Sequence, residues 1–222
     1  MDLEKINAEL QDKTPDEIIR WGLSLAKKTI VTTNFGPYEA SILHAVTQAG
    51  PDTPVVWCDS GYNTSATYRF AQDLIEQLNL KVDLYVPRQS AAHRDVLMNG
   101  IPEVDDPLHE EFTYQVKLEP FSRAMQEHQP GVWFTNLRQD QTEFRASLDI
   151  VSLGQKGVVK IAPFFLWSEA QLDEYLATHQ LRNEKDYYDP TKVHGDRECG
   201  LHTQTDAASS GFRMESGSAL TG

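Results

Sequence analysis

Residues 29–36 read TIVTTNFG, and this stretch decides the fold prediction. The β-branched run at residues 29–33 predicts a short strand, which ends in the turn at residues 34–37. Residues 38–48 carry apolar side chains at helical spacing and predict a helix directly after that turn. A strand that leads through a turn into a helix is the beginning of a βαβ unit.

The alternation of strands and helices continues along the chain. Further strands are predicted at residues 54–57, 82–86, 132–135 and 158–161. Helices are predicted at residues 3–10, 15–27, 65–78, 117–127 and 169–178, with Thr14, Pro15 and Ser168 as start signals. This order predicts an α/β fold with a mostly parallel sheet and helices on both of its faces.

We expect two parts in the chain. Residues 1–184 are predicted to form one α/β domain, and residues 185–222 a flexible tail whose Ser-, Gly- and Thr-rich end is disordered. Within the domain, residues 99–111 are acidic and irregular, which predicts a surface excursion.

Composition narrows the class of protein. The 222 residues carry a formal net charge of −13, which argues against a broad basic surface for nucleic acid. No apolar run approaches the length that spans a bilayer. The two cysteines, Cys58 and Cys199, are too few for a disulfide framework or a metal quartet. We therefore expect a cytoplasmic protein with reduced thiols, no metal site, and no nucleic-acid or membrane partner.

In parallel α/β sheets, ligands bind beyond the carboxyl ends of the strands, and three loops meet that description. The first contains Thr33, Asn34 and Gly36. Its hydroxyls and backbone N–H groups at a helix N-terminus suit phosphate or sulfate, although a plain capping turn is the alternative. It is not a Walker loop, because the Gly-Lys-Ser/Thr ending is missing.

The second loop contains Asp59, Ser60, Gly61 and Tyr62. Its carboxylate can orient an adenosine amine or a ribose hydroxyl, and Gly61 allows close approach of a ligand. A simple turn is the alternative interpretation.

The third loop, residues 137–145, presents Arg138 and Arg145. Arginine forks bind phosphate in a bidentate manner, so the pair suits an anionic substrate. The alternative is a solvated, salt-bridged loop.

A candidate nucleophile lies near the end of the chain. Cys199 is set between Glu198 and His202, with Arg197 two residues before it. Nearby cations such as Arg197 or His202 would favour the reactive thiolate over the thiol. An ordinary free cysteine in a tail is the alternative.

Taken in order, these segments resemble the phosphoadenylyl-sulfate (PAPS) reductases, a branch of the adenine-nucleotide alpha-hydrolase-like superfamily. The resemblance extends from about residue 21 to residue 202, and its most specific piece is Glu-Cys-Gly-Leu-His at residues 198–202. The other matching pieces are residues 32–36, 59–62, 67–70, 117–120 and 133–145.

The resemblance implies a two-step reaction. Cys199 attacks the sulfur of the sulfonucleotide, releases adenosine 3′,5′-bisphosphate and becomes an S-sulfocysteine. A thioredoxin or glutaredoxin thiol then frees sulfite. Members of the family are often homodimers. Relatives that use adenylyl sulfate (APS) commonly carry an iron–sulfur cluster, for which this chain lacks the cysteines, and cluster-free members usually prefer PAPS.

The resemblance also implies roles for individual residues. In the catalytic group, Glu198 and His202 accompany Cys199. The expected substrate-binding residues are the phosphosulfate ligands Lys117, Arg138 and Arg145, the nucleotide-pocket residues Thr33, Asn34 and Gly36, the adenosine-flanking residues Asp59, Ser60, Gly61 and Tyr62, and the basic residues Lys192 and Arg197.

Two departures from the family pattern matter. Asn136 stands where the family usually has glycine, and the segment before Glu198 is short, with basic residues reduced to Lys185, Lys192, His194 and Arg197. The alternatives are a cluster-free APS reductase, another nucleotide-binding enzyme of the superfamily, and a non-catalytic nucleotide-binding protein.

Overall fold

The computed structural model describes residues 1–192, which form an α/β fold around one six-stranded sheet. The strands are β1 (Thr29–Thr33), β2 (Val55–Cys58), β3 (Val82–Tyr85), β4 (Val132–Phe134), β5 (Val151–Leu153) and β6 (Val159–Ile161). Their order across the sheet is β3-β2-β1-β4-β6-β5. Every neighbouring pair is parallel except β5 and β6, so the predicted mostly parallel sheet is confirmed.

The helices follow the predicted order. They are α1 (Leu3–Leu10), α2 (Pro15–Leu25), α3 (Glu39–Ala49), α4 (Ser65–Leu78), α5 (Ala91–Met98), α6 (His109–Thr113), α7 (Glu119–His128), α8 (Glu143–Ala146) and α9 (Glu169–Thr178). A π-helical turn, Tyr114–Leu118, joins α6 to α7. Within residues 1–192, each helix is too short or too polar to cross a bilayer.

Capping groups explain where two of these helices begin. At α2, the Glu17 N–H donates to Thr14 Oγ1 (3.3 Å) while the Thr14 N–H donates to Glu17 Oε2 (2.9 Å). Ser168 and Gln171 make the same reciprocal pair at the start of α9. Both pairs satisfy N–H groups that a helix leaves without partners, which is why these starts can be read from the sequence.

The alternating side chains of the sheet build a core on each face. Val31 and Phe134 point into the larger core, which contains residues of α2, α3, α4 and α9. Ile30 and Trp133 point into the smaller core, against Ala124 of α7. Successive residues of a strand point to opposite faces, so both faces of the sheet are covered, as predicted.

The sequence pattern does not predict α5, α8 or β5. It predicts residues 99–111 as irregular, which is correct only for the part before α6. That segment is not irregular to its end, because α6 begins at His109 and buries Phe112 completely. Helices and strands this short show too few residues for a period to emerge. Edge strand β5 is held by Asn7 of α1, whose side chain donates to the Val151 carbonyl (2.9 Å) and accepts from its N–H (2.8 Å).

The strand order fixes where a ligand can enter. From β1 the chain proceeds outward through β2 to β3, and it then returns to β4 on the other side of β1. The connections after β1 and β4 therefore diverge to opposite sides and leave a crevice at the carboxyl edge, the usual ligand site of open α/β sheets.

Candidate active site

A cavity of about 720 Å³ opens at this crevice. Six of the predicted substrate-binding residues line it: Thr33, Asn34, Lys117, Arg138, Arg145 and Lys192. The fold thus brings together side chains from the loop after β1, the π-helical turn, the loop after β4 and the segment after α9. A cavity of this volume is in the range of small-molecule sites.

The loop after β1 is closed by its own side chains. The Phe35 N–H donates to Thr33 Oγ1 (2.9 Å), the Gly36 N–H to Asn34 Oδ1 (2.9 Å), and the Tyr38 N–H to Asn183 Oδ1 (2.8 Å). These three amides therefore do not form the open phosphate cradle that the sequence suggests. A ligand at this cavity meets side chains rather than a nest of free N–H groups.

Gly36 is needed for packing at this loop. A Cβ atom on it would lie 3.3 Å from the ring of Tyr187 and 2.9 Å from Asn34 Oδ1. Asn34 in turn donates from Nδ2 to the Tyr187 hydroxyl (2.8 Å). The glycine thus allows the segment after α9 to approach the loop closely.

Arg138 is buried at the side of the cavity, with 3% of its surface exposed. Its guanidinium donates to Asp140 (3.0 Å) and Glu169 (3.3 Å) and lies 5.0 Å from the centre of the Tyr38 ring. Burying a cation is unfavourable unless partners surround it. Here the partners are a carboxylate of the loop after β4, a carboxylate of α9 and the ring of Tyr38.

Arg145 is the second buried arginine of this loop, with 8% of its surface exposed. It lies in the short helix α8, where its N–H donates to the capping hydroxyl of Thr142 (3.1 Å). Its guanidinium donates to the side-chain oxygen of Gln141. Both arginines are buried, although the loop around them is largely exposed and Arg138 is salt-bridged to two carboxylates, as the alternative interpretation of this loop expects.

Lys117 reaches the cavity from the π-helical turn, a helix distortion that often occurs at functional sites. Its Nζ lies 2.6 Å from Asp189 Oδ2 and 3.3 Å from Thr191 Oγ1. Burial works to raise the pKa of Asp189, but the Lys117 charge and the bonds from Thr191 outweigh it and hold that pKa below its usual value. Asp189 is therefore an ionised partner of Lys117 inside the cavity.

We call residues 183–191 the strap, because they cross the carboxyl edge and contact both the loop after β1 and the π-helical turn. Asn183 bonds to the Tyr38 amide, Tyr187 to Asn34, and Asp189 to Lys117. Lys192 follows the strap and also lines the cavity. The strap includes the first described residues of the predicted tail.

Glu39 lines the cavity and was missed by the sequence analysis, and Asn136, which the sequence shows only as a departure from the family glycine, lines it too. Glu39 opens α3, and its Oε2 atom is buried without a partner among residues 1–192. Burial raises the pKa of Glu39 to about 8, against the opposing hydrogen bonds from Thr33 and Asn136 and the charge of Arg145. An acidic residue in the first turn of a helix is common, so the sequence carries no signal for this environment.

The loop after β2 lies outside the cavity lining within the described structure. Asp59 accepts hydrogen bonds from the Gly61 N–H (2.9 Å), Asn63 Nδ2 (2.9 Å) and the Tyr68 hydroxyl (3.0 Å). Ser60 accepts from the Tyr62 N–H (3.2 Å). These polar groups therefore organise their own turn.

Tyr62 points away from that turn toward the excursion. Its hydroxyl donates to Asp95 of α5 (2.6 Å), and its ring lies 5.5 Å from that of Phe112. The structure therefore does not bring the Asp59–Tyr62 loop into the group of residues that lines the cavity.

Cys58 ends β2 and lines the cavity, but its thiol is unsuited to nucleophilic attack. Burial raises its pKa to about 12, while the charges of Arg123 and Lys117 oppose that rise only in part. A thiol with this pKa is protonated at neutral pH, and the thiolate is the reactive form. The predicted catalytic residues, Glu198, Cys199 and His202, and the predicted basic residue Arg197 lie outside the described residues.

Comparison with known proteins gives one consistent description. A family model described as "Phosphoadenosine phosphosulfate reductase domain" matches residues 28–199. The phosphoadenosine 5′-phosphosulfate reductase of Vibrio parahaemolyticus is 37% identical over 180 residues, 81% of this chain and 69% of the relative. The protein of the same name from Synechococcus sp. is 35% identical over 183 residues, 81% of this chain and 78% of the relative.

Solved structures share the fold. The PAPS reductase of Candida auris, solved as a phosphate complex, superimposes with a TM-score of 0.69 and 22% identity over 82% of this chain and 87% of that one. The NH3-dependent NAD synthetase of Campylobacter jejuni gives a TM-score of 0.53 and 11% identity, covering 82% of this chain and 75% of that one. The architecture is thus common to several nucleotide-related enzymes, and the sequence matches distinguish among them.

Proposed function

This chain belongs to the phosphoadenosine phosphosulfate reductase family, and from that premise we propose that it reduces PAPS to sulfite and adenosine 3′,5′-bisphosphate in assimilatory sulfate reduction. The observation that carries the proposal is the pair of buried arginines, Arg138 and Arg145, which share one crevice cavity with Lys117. Three cations that converge on a cavity from separate segments suit a ligand with several negative charges.

In the proposed first step, the Cys199 thiolate attacks the sulfur atom of PAPS. A bond forms between Sγ and that sulfur, and the bond from sulfur to the bridging phosphate oxygen breaks. Its electron pair leaves on adenosine 3′,5′-bisphosphate, so Cys199 becomes an S-sulfocysteine. Glu198 and His202 are the proposed companions of Cys199 in the catalytic group.

In the proposed second step, a thiolate of thioredoxin or glutaredoxin attacks Cys199 Sγ. The new disulfide bond displaces sulfite, and the second thiol of the donor then attacks the mixed disulfide and restores Cys199. The donor dithiol is oxidised to a disulfide and supplies the two electrons of the reduction. The proposed scheme uses no iron–sulfur cluster, because the two cysteines of these 222 residues cannot supply the four ligands of one within a single chain.

The cations have an electrostatic role in this scheme. Lys117, Arg138 and Arg145 hold the phosphosulfate, where fixed positive charge stabilises the charge that grows on the leaving phosphate. The leaving group is already a phosphate, so the step needs little acid catalysis. Thr33 and Asn34 line the nucleotide pocket, Gly36 shapes the loop that carries them, and Lys192 and Arg197 add basic contacts.

The homodimer is proposed on the resemblance alone, and the cytoplasmic location on the composition and the cysteine count. The division into a nucleotide-binding domain, residues 1–184, and a tail that carries Cys199, residues 185–222, is likewise proposed. The contact of Asp59, Ser60, Gly61 and Tyr62 with adenosine, which the resemblance implies, is left out of the proposal, because this loop lies outside the cavity lining.

The test is sulfite release from PAPS and from APS, each with thioredoxin or glutaredoxin as donor. We expect release from PAPS, much less from APS, and none from Cys199→Ser, which should still bind the nucleotide. Faster release from APS would make the chain an APS reductase. Absence of release from both, with a folded protein and an active donor, would overturn the proposed function.

A further inference from the structure

The carboxyl group of Glu39 lines the cavity but has no role in the reaction proposed above. Glu39 lies at the first residue of α3, where Thr33 of β1 and Asn136 from the loop after β4 act on its carboxyl group and lower its pKa against the effect of burial. Its second oxygen, Oε2, is buried and has no hydrogen-bond partner among residues 1–192. A buried polar atom without a partner is costly, and such atoms in native structures call for a missing partner or a function.

Asn136 adds a second observation at the same place. Its Oδ1 is also buried without a partner in the described structure, so the cavity wall holds two of the five such side-chain atoms there. Both residues line the cavity that contains Arg138 and Arg145. The two atoms differ in what they can bind, because Oδ1 only accepts and needs a donor of the ligand, whereas a protonated Oε2 can donate to an anion.

The charges around the cavity decide which form of Glu39 fits an anionic ligand. Arg145 on α8 is the charged group that acts most directly on it. The other ionic groups of the cavity come from every element around it: Lys117 from the π-helical turn, Arg138 and Asp140 from the loop after β4, Glu169 from α9, Asp189 from the strap, and Lys192 after it. An ionised Glu39 would make the carboxylates equal in number to the cations, so the net positive charge that attracts an anion would be lost.

We propose that the Glu39 carboxyl group is protonated when the substrate binds, and that its Oε2–H donates a hydrogen bond to an anionic oxygen of the phosphosulfate. The proposal rests on the proposed function, which supplies the anion. A neutral carboxylic acid is a donor that an anion can use, whereas a carboxylate only accepts. Glu39 is then a substrate-binding residue that makes the affinity for the anion depend on pH.

The structure supports the protonated form independently of the ligand. Burial raises the pKa of Glu39 to about 8, because the buried site disfavours the charged form more than Thr33, Asn136 and Arg145 favour it. Linkage then sets the sign of the effect. Below this pKa the donor is present, and above it the ligand must bind together with a proton, so the affinity falls as pH rises.

The test measures the dissociation constant of PAPS from about pH 6.5 to about pH 9.5, which brackets the pKa of Glu39 at about 8. All proteins carry Cys199→Ser so that the ligand is not consumed. With Glu39 intact, affinity should fall above about pH 8 and approach a tenfold loss per pH unit, since one proton is linked to binding. Glu39→Gln keeps a hydrogen-bond donor that cannot ionise. Its affinity for PAPS should therefore equal that of the Glu39 protein at the lowest pH and should not change as the pH rises.

Glu143→Gln is the matched control. It removes the same charge from exposed residue 143 in the helix that carries Arg145, but Glu143 does not line the cavity. This variant should keep the full pH dependence. A merely structural role for Glu39 would change the melting temperature of Glu39→Gln and leave the pH profile of binding as it was.

Two results separate the failure of this inference from that of the proposed function. If PAPS binds and the Glu39 protein and Glu39→Gln share one pH profile, Glu39 is not the donor, although the function stands. If PAPS binds to none of the proteins at any pH, the proposed function fails and the inference with it.

Should Glu39→Gln not fold, calorimetry on the Glu39 protein decides the question. Binding heats in buffers of different ionisation enthalpy should show nearly one proton taken up per PAPS at the alkaline end. No proton uptake there would overturn the inference.

Discussion

The loops that follow β1 and β4 differ from the loop that follows β2, although all three end strands at one edge of the sheet. The first two flank the point where the strand order reverses, and their side chains line the cavity. The loop after β2 lies one strand away, and its Asp59 is occupied by bonds within its own turn and with α4. Similar polar residues thus line a cavity after β1 and β4, whereas after β2 they hydrogen-bond within their own turn and to α4.

The difference shows that a polar residue at the carboxyl edge is not by itself a ligand-binding residue. Position relative to the reversal of strand order decides whether a cavity is open there. The number of partners that a side chain already has decides whether it can take another. The following substitutions test this contrast.

The largest effect is expected for Arg145 on the cavity side of the comparison. Arg145→Ala should cost about 2–4 kcal/mol in transition-state binding, because it removes a fixed cation from the phosphosulfate. Arg145→Lys should recover only part of this, since a point charge cannot reproduce a bidentate fork. Steady-state kcat/KM for PAPS measures both.

Arg182→Ala is the control for Arg145. Arg182 pairs with Asp73 at the surface, where its side chain is 70% exposed. An exposed pair of this kind contributes about 1 kcal/mol at most, so kcat/KM should be unchanged. If kcat/KM is normal in Arg145→Ala as well, the cavity is not the site that binds the phosphosulfate.

Asp59 represents the other side of the comparison. Asp59→Ala should lower the free energy of unfolding by about 2 kcal/mol, because it removes an acceptor shared by Gly61, Asn63 and Tyr68. Once the protein is folded, the affinity for PAPS should change far less. Chemical denaturation and calorimetric binding give the two quantities. Lost affinity without lost stability would place Asp59 in the ligand site after all.

Asp189 tests whether the strap competes with the ligand. Asp189→Asn removes the carboxylate that lies 2.6 Å from Lys117. The positive charge of Lys117 is then no longer neutralised by this partner and attracts the substrate anion more strongly. PAPS should bind about tenfold more tightly, or ~1.4 kcal/mol. Asp186→Asn, on an exposed residue of the same strap, should leave binding as it was. Weaker binding in Asp189→Asn would show that the ion pair holds the site together instead.

The smallest effect on turnover is expected for Cys58. Its pKa of about 12 keeps the thiol protonated, so Cys58→Ala should leave sulfite release nearly unchanged. The free energy of unfolding should fall by about 1 kcal/mol, for the small buried volume that is lost. Loss of sulfite release in a stable Cys58→Ala protein would contradict this.

The sequence predicts five of the six strands, as runs of β-branched and aromatic residues such as Thr29–Thr33, and it predicts the start of α2 from the capping box of Thr14 and Glu17; it misses edge strand β5. It also predicts which cations meet, since parallel strands place Arg138 and Arg145 at the same edge as Thr33. It does not predict which of the three edge loops opens into a cavity. That depends on strand order, which comes from long-range packing.

The missed features share a physical cause. Asn183 and Asp189 act on residues far away in the chain, at Tyr38 and Lys117, and no local pattern records such pairs. Glu39 looks like an ordinary acidic residue in a first helical turn, and only burial by other segments changes its pKa. Local periodicity is therefore informative about elements, and much less about the environment of a single side chain.

The most direct test of the central claim is a single turnover of PAPS without an electron donor, followed by mass analysis of the protein. We expect one SO3 group to be added per chain, on Cys199, and one adenosine 3′,5′-bisphosphate to be released for each group added. Added thioredoxin should then remove the group as sulfite. An unmodified Cys199 after nucleotide release, or the same adduct on Cys58, would contradict the account.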